Sequence, residues 1–234
     1  GLADVDEAID FLNFYAREEF RLHSLNDRLQ SRGAVAVISP WNFPLAIPCG
    51  MVVSSLVVGN TVILKSAEQT PLISQVLVDI LHLAGVPKDV LIHVPGLGEI
   101  VGEALVTNER VSTIIFTGSK AVGTMIASKA HTRIYENQLT KSSYPVKVIT
   151  EMGGKNAVIV TANAELDETV SGILYSAFGH AGQKCSAASR ILVDNRVKDR
   201  LIERLTEACL DIEVGEAFNF ETTINPVISK EDKE

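Results

Sequence analysis

Apolar positions along this chain follow two rhythms. From Leu2 to Phe20, Ile9, Phe11, Leu12 and Tyr15 stand among charged residues, a spacing that predicts an amphipathic helix. Glu18 to Arg32 is polar and reads as a connector. From Ala34 onward, short β-branched runs alternate with helical stretches. Strands are predicted at Ala34–Ile38, Thr61–Leu64, Val90–Val94, Ser112–Phe116, Val146–Ile149, Ala157–Val160 and Arg190–Val193. Helices are predicted between the first four of these, at Leu45–Val58, Pro71–Ala84 and Glu99–Val106. The second has Thr70 at the N-cap position, Pro71 at the first helical position and Gly85 just past its end. Ala130–Tyr144 is polar and reads as a surface excursion, and Gly215–Glu234 shows no periodicity.

Repeated βα units imply an α/β fold, a Rossmann-like parallel sheet with helices on both faces. Ligands of such sheets bind at the carboxyl ends of the strands.

Composition narrows the function. A formal charge of −8 argues against a nucleic-acid partner, which needs a concentrated excess of Lys and Arg. The longest apolar run, Leu45 to Val58, is interrupted by Pro48, Gly50, Ser54 and Ser55, so it reads as a buried helix and no membrane partner is expected. Cys49, Cys185 and Cys209 are too scattered for a disulfide framework, and no CxxC pair suggests zinc or another metal site. A reducing compartment follows, the cytoplasm or, in a eukaryote, the mitochondrial matrix. The acidic start lacks both a signal-peptide pattern and an initiator methionine, so the chain is expected to be a piece of something longer.

Five segments carry candidate chemistry. In Ser39-Pro40-Trp41-Asn42-Phe43-Pro44, two prolines hold a turn open after a strand, and the Asn42 amide could stabilise an oxyanion. The plainer alternative is a turn asparagine bonding its own backbone. Lys65 and Glu68, ending the next strand, could hydrogen-bond ribose hydroxyls, or be solvated loop charges. Phe116-Thr117-Gly118-Ser119 closes a strand, and Ser119 can cap a helix whose free N–H groups suit a pyrophosphate. Gly-Ser turns into helices are also common without ligands. Glu151 ends a strand beside Gly153 and Gly154, which suits a general base or a loop glutamate. Cys185 lies in a glycine-containing loop beside the Lys184 cation, which suits a partly exposed, reactive thiol or a merely structural cysteine. Cys49 and Cys209, in apolar or helical contexts, read as inert core thiols.

Taken in order, these segments resemble the aldehyde dehydrogenase superfamily. Its landmarks run as they do here: Pro40-Trp41-Asn42-Phe43-Pro44, Lys65 with Glu68, Phe116-Thr117-Gly118-Ser119, Glu151 with Gly153-Gly154-Lys155, then Gly182-Gln183-Lys184-Cys185. The resemblance implies an N-terminal helix and connector over residues 1–32, an NAD-binding Rossmann-like domain over 33–150 and a partial catalytic domain over 151–234, with Cys185 as the nucleophile and Glu151 as the general base. It gives Asn42, with the backbone N–H of Cys185, the oxyanion hole. Lys65 and Glu68 would contact the adenosine ribose of NAD, Gly118 and Ser119 the pyrophosphate, with Ser39 and Trp41 also on the cofactor. Within the superfamily the similarity is greatest to the 1-pyrroline-5-carboxylate (glutamate-γ-semialdehyde) dehydrogenases of proline catabolism. The pointers are Phe43-Pro44-Leu45-Ala46-Ile47-Pro48, Glu151 to Asn156, and Lys184-Cys185-Ser186-Ala187. Phe43 and Ser186 are then substrate contacts, Ser186 to a carboxylate.

The implied reaction oxidises an aldehyde through a thiohemiacetal and a thioester on Cys185. That module occurs alone and fused to a proline dehydrogenase, and full-length members form homo-oligomers. The family's later half, expected beyond Glu234, would supply further nicotinamide and substrate contacts. Ser66 stands where many relatives have proline, a change expected to alter loop stiffness more than chemistry. Two rival readings remain, an enzyme of another small or acidic aldehyde and a truncated non-catalytic piece.

Overall fold

Val35 and Val37 belong to one face of strand β1 (Ala34–Ile38), and Ala36 and Ile38 to the other; all four are buried. A strand apolar on both sides needs a layer over each, and the chain supplies both. The computed structural model describes residues 1–25 and 30–233 and divides into two compact units, residues 1–152 and 153–234.

The first unit opens with α1 (Leu2–Leu25), then β1, α2 (Ala46–Leu56), β2 (Thr61–Lys65), α3 (Pro71–Leu83) and β3 (Leu91–His93). A π-helical turn at Gly98–Gly102 leads into α4 (Glu103–Thr107), followed by β4 (Val111–Gly118) and α5 (Lys120–Ala130). A small antiparallel pair, β5 (Ile134–Glu136) and β6 (Ser143–Pro145), precedes β7 (Lys147–Met152). The main sheet is parallel throughout, in the order β3-β2-β1-β4-β7. The order reverses between β1 and β4, and in doubly wound sheets that reversal opens the ligand crevice at the carboxyl ends.

One core packs α1, α2 and α3 onto Val35, Val37, Val62, Leu64 and Leu91. The other packs α4 and α5 onto Ala36, Ile38, Ile114 and Phe116. Leu64 and Ile114 are fully buried, and truncating either to alanine should cost ~2–5 kcal/mol.

Several details depart from the sequence reading. The helical signal in α1 continues to Leu25, past the expected start of the connector at Glu18, whose remainder lies partly outside the described residues. Its packed face is Asp4, Ala8, Phe11 and Tyr15, whereas Ile9 and Leu12 are exposed. Gly50 makes this packing close, because a Cβ there would meet the Phe11 ring at 2.9 Å. Asp4 accepts from the N–H of Ala46 at 2.9 Å and of Leu45 at 3.3 Å, capping α2 from another helix. Thr70 occupies the N-cap position of α3, but its buried hydroxyl makes no hydrogen bond among the described residues. The Ala130–Tyr144 segment is more than surface, for it carries β5 and β6 and buries Tyr135 and Asn137.

The second unit contains β8 (Asn156–Val160), α6 (Leu166–Phe178), a 3-10 turn at Gly179–Gly182, β9 (Ala188–Val193) and α7 (Lys198–Leu210). β8 and β9 pair in parallel, and α6 and α7 cover one face of the pair through Val160, Leu166, Val170, Ile173 and Leu201. On the opposite face Ile159 and Leu192 are 74% and 56% exposed. Among the described residues, no helix is long and apolar enough to cross a membrane.

Candidate active site

The carboxyl ends of four parallel strands bring the first unit's candidate residues to one edge. Ile38 is in register with Lys65 on one side and with Phe116 on the other, and Thr117 is in register with Glu151. Ser39, Lys65, Gly118, Ser119 and Glu151 therefore share an edge despite their wide separation in sequence.

At the end of β1, the Ser39 N–H donates to the Lys65 carbonyl at 3.1 Å, extending the ladder by one residue. The Ser39 side chain is buried, and its hydroxyl has no hydrogen-bond partner among the described residues. A buried hydroxyl left unpaired costs ~1–3 kcal/mol, so this orphan beside the crevice fits a ligand oxygen. Trp41, Asn42 and Phe43 follow in the partly buried turn that enters α2.

At the end of β2, the Lys65 side chain is 4% exposed and its Nζ donates to Glu68 Oε1 at 2.7 Å. Burial pushes the Glu68 carboxyl up. The hydrogen bond and charge of Lys65, with the backbone N–H groups of Glu68 and Gly98, outweigh this and hold it below its ordinary range. A lysine and a carboxylate held together at a strand end offer a donor and an acceptor to a diol such as ribose.

Ser119 caps α5, its hydroxyl accepting from the Val122 N–H at 3.3 Å. Gly123 lets this helix start close above the strand ends; a Cβ there would lie 2.7 Å from Met152 Sδ and 3.2 Å from the Phe116 ring. The helix N-terminus, the orphan Ser39 hydroxyl and the Lys65–Glu68 pair together fit a dinucleotide laid along the edge. Glu151, next to last in β7, lies on the same edge and is exposed to solvent.

In the second unit, Cys185 and Ser186 sit in the loop between the 3-10 turn and β9, both exposed. Cys49 is buried and Cys209 partly buried, so exposure alone separates the three thiols. The Ala187 N–H donates to the Lys184 carbonyl at 3.1 Å, closing a tight turn around Cys185. Asn156 Nδ2 donates to the Cys185 carbonyl at 2.8 Å and to the Ala187 carbonyl at 3.3 Å, fastening that turn to β8. Before it, His180, Ala181 and Gly182 all have positive φ, unfavourable for the first two. The Lys184 ammonium lies 5.0 Å from the centroid of the Tyr175 ring, a cation–π contact with α6.

Three features escaped the sequence reading: the Asp4 cap, the Asn156 latch, and the docking of Glu68 at Gly98. A polar asparagine opening a strand was the available signal for the second.

The chain belongs to the aldehyde dehydrogenase family, which it matches over residues 1–234. It is 42% identical to 1-pyrroline-5-carboxylate dehydrogenase 1 of Halalkalibacterium halodurans, over 97% of this chain and 45% of that protein. It is also 42% identical to the bifunctional protein PutA of Klebsiella aerogenes, over 100% of this chain and 17% of that one. A Thermus 1-pyrroline-5-carboxylate dehydrogenase solved with bound NAD superposes with a TM-score of 0.89 at 38% identity, over 99% of this chain and 46% of that chain. The chain thus spans about half the length of the stand-alone curated relatives it matches.

Proposed function

We propose that the complete protein is an NAD-dependent aldehyde dehydrogenase that oxidises L-glutamate γ-semialdehyde, in equilibrium with 1-pyrroline-5-carboxylate, to L-glutamate. One observation carries the reading: a single sheet edge gathers nucleotide-binding groups and Glu151, while Cys185 is the exposed thiol on a fastened turn. Similarity to stand-alone 1-pyrroline-5-carboxylate dehydrogenases and to bifunctional PutA supports the substrate and a place in proline breakdown.

In this reading the Cys185 thiolate attacks the aldehyde carbon, and the oxygen becomes an oxyanion held by the Asn42 amide and the Cys185 N–H. Lys65, Glu68, Ser39, Trp41, Gly118 and Ser119 would hold NAD⁺, which when bound would accept the hydride from the former aldehyde carbon, so that an acyl thioester is left on Cys185. Glu151 takes a proton from water, which attacks the thioester and releases the carboxylic acid and the thiolate. Phe43 and Ser186 contact the substrate.

The test is NADH formation by the complete protein given NAD⁺ and pyrroline-5-carboxylate, beside a panel of small aldehydes. Turnover with pyrroline-5-carboxylate that disappears in Cys185→Ala is the expected result. Faster turnover of an uncharged aldehyde would overturn the substrate, and activity surviving Cys185→Ala would overturn the chemistry.

A further inference from the structure

Beside Lys65 a polar network running from buried Ser66 through half-buried His93 to exposed Gln75 joins three elements through one imidazole. His93 is the last residue of β3, opposite Leu64 of β2. Its Nε2 lies 3.0 Å from the Ser66 hydroxyl and its Nδ1 lies 2.8 Å from Gln75 Oε1 on α3. Gln75 donates through its Nε2 to Asp79 at 2.9 Å, so its oxygen is the end that faces His93. The proton of the ring is thereby placed on Nδ1, and Nε2 accepts from the Ser66 O–H. Burial favours the neutral ring this arrangement needs, against the nearby charge of Asp79.

Ser66 is 1% exposed and follows Lys65 directly, at the start of the β2–α3 connection that also carries Glu68. The hydrogen bond between Ser66 and His93 ties the start of this connection to the end of β3. We propose that His93 is a positioning residue for dinucleotide binding: by holding the Ser66 hydroxyl it fixes the connection on which Lys65 and Glu68 meet. This rests on the reading of Lys65 and Glu68 as contacts to the cofactor ribose.

The pair could be a mere polar plug in the core. Two features speak against that. It stands at the carboxyl edge, where the ligand groups gather, and it is bonded to the residue adjoining the buried lysine. A plug for stability alone would be equally served by an apolar side chain at 93 and an alanine at 66.

The experiment measures the Kd of NAD⁺ for the complete protein by calorimetry, with thermal melts on the same samples. The variants are Ser66→Ala, His93→Leu, His93→Asn and His93→Gln. A glutamine amide reaches as far as the imidazole Nε2 and can keep the Ser66 bond, whereas asparagine reaches only Nδ1. Loss of one half-buried hydrogen bond next to the site should raise Kd about five- to tenfold in the alanine, leucine and asparagine variants. His93→Gln should bind within about twofold of the parent. Binding should not track the melting temperatures, and the asparagine variant carries the comparison if the leucine variant does not fold. Unchanged Kd in Ser66→Ala and His93→Asn, or a His93→Gln as weak as His93→Asn, overturns the inference while leaving the functional reading intact. A parent protein that does not bind NAD⁺ overturns both.

Discussion

Asn156 and Cys185, from different elements of one unit, are joined by a 2.8 Å hydrogen bond from the asparagine amide to the backbone carbonyl of the cysteine. The bond fixes where the thiol stands without touching the sulfur. Both residues are exposed, so water replaces much of the bond energy and Asn156→Ala should cost no more than ~1 kcal/mol of stability. On the proposed role of Cys185 as nucleophile, its misplacement is more serious, and kcat should fall about tenfold or more. Asn156→Asp should be worse than alanine, since a carboxylate would face two carbonyl oxygens. Steady-state rates beside urea melts check the split; equal losses in stability and rate would refute it.

Gly154 is a second control on the same turn. A Cβ there would stand 2.7 Å from the Cys185 carbonyl oxygen, a backbone atom with little freedom to yield. Gly154→Ala should therefore displace the Cys185 turn, at a cost of ~1–3 kcal/mol. Activity should fall even at temperatures where the variant is fully folded. Circular dichroism with parallel kinetics tests this.

The three thiols should differ sharply in reactivity. Burial, with some help from the Asp4 charge, pushes Cys49 from an ordinary 9.0 up to about 11. Iodoacetamide at pH 8 should modify Cys185 first and Cys49 only on unfolding, as read by peptide mass spectrometry. The same shift has a stability consequence. Between pH 9 and about 11 the folded state keeps a proton that the unfolded state has lost, so stability falls as pH rises through that window. The shift amounts to about 2–3 kcal/mol, fully present below pH 9 and lost as pH rises to about 11. Cys49→Ala should flatten the alkaline limb of the stability curve, and an unchanged limb would contradict this account.

Glu68 should set a preference for NAD⁺ over NADP⁺. Its carboxylate is held ionised by Lys65 and by the Gly98 N–H, and a 2′-phosphate placed on the same ribose would meet that charge. A like-charge contact at ~4 Å costs about 1 kcal/mol even in water. Glu68→Gln keeps an acceptor for Lys65 while removing the charge, so the ratio of kcat/KM for the two cofactors should shift toward NADP⁺ several-fold. Because the group sits below its ordinary 4.5, the preference should persist at pH 5. An unmoved ratio would place the discrimination elsewhere.

The seven strands expected from the sequence lie within a few residues of β1–β4 and β7–β9, because short β-branched runs bounded by polar or turn residues mark a strand whether one face or both are covered. Ser39, Lys65, Gly118, Ser119 and Glu151 reach one edge because each stands at or just past the carboxyl end of a strand of the same sheet, whereas Cys185 and Ser186 precede β9 in the second unit. What stayed hidden depended on partners distant in sequence. The packed face of α1 is chosen by Gly50 and Ala46 of α2, so Ile9 and Leu12 misled where Ala8 and Asp4 mattered. Tyr135 looked like part of a polar excursion because its pocket is built by other segments, among them the turn at Gly33. Lys184 sits beside Cys185 in sequence, yet its aromatic partner lies on the preceding helix.

The shared phase of the strand ends bears on how this protein can change over generations. Its one irregularity in the β1–β4 pairing falls between Ala34 and Val35, at the amino end, and the pairing from there to Ile38 and Phe116 is unbroken. Side-chain swaps within a strand leave that phase alone. Deleting a single residue from β7 would draw Glu151 back by about 3.3 Å or turn its side chain to the opposite face. Insertions and deletions inherited by descendants of this sequence should therefore collect in the helices and amino-terminal turns, while the spans from Val35 to Ser39 and from Thr113 to Ser119 keep their length.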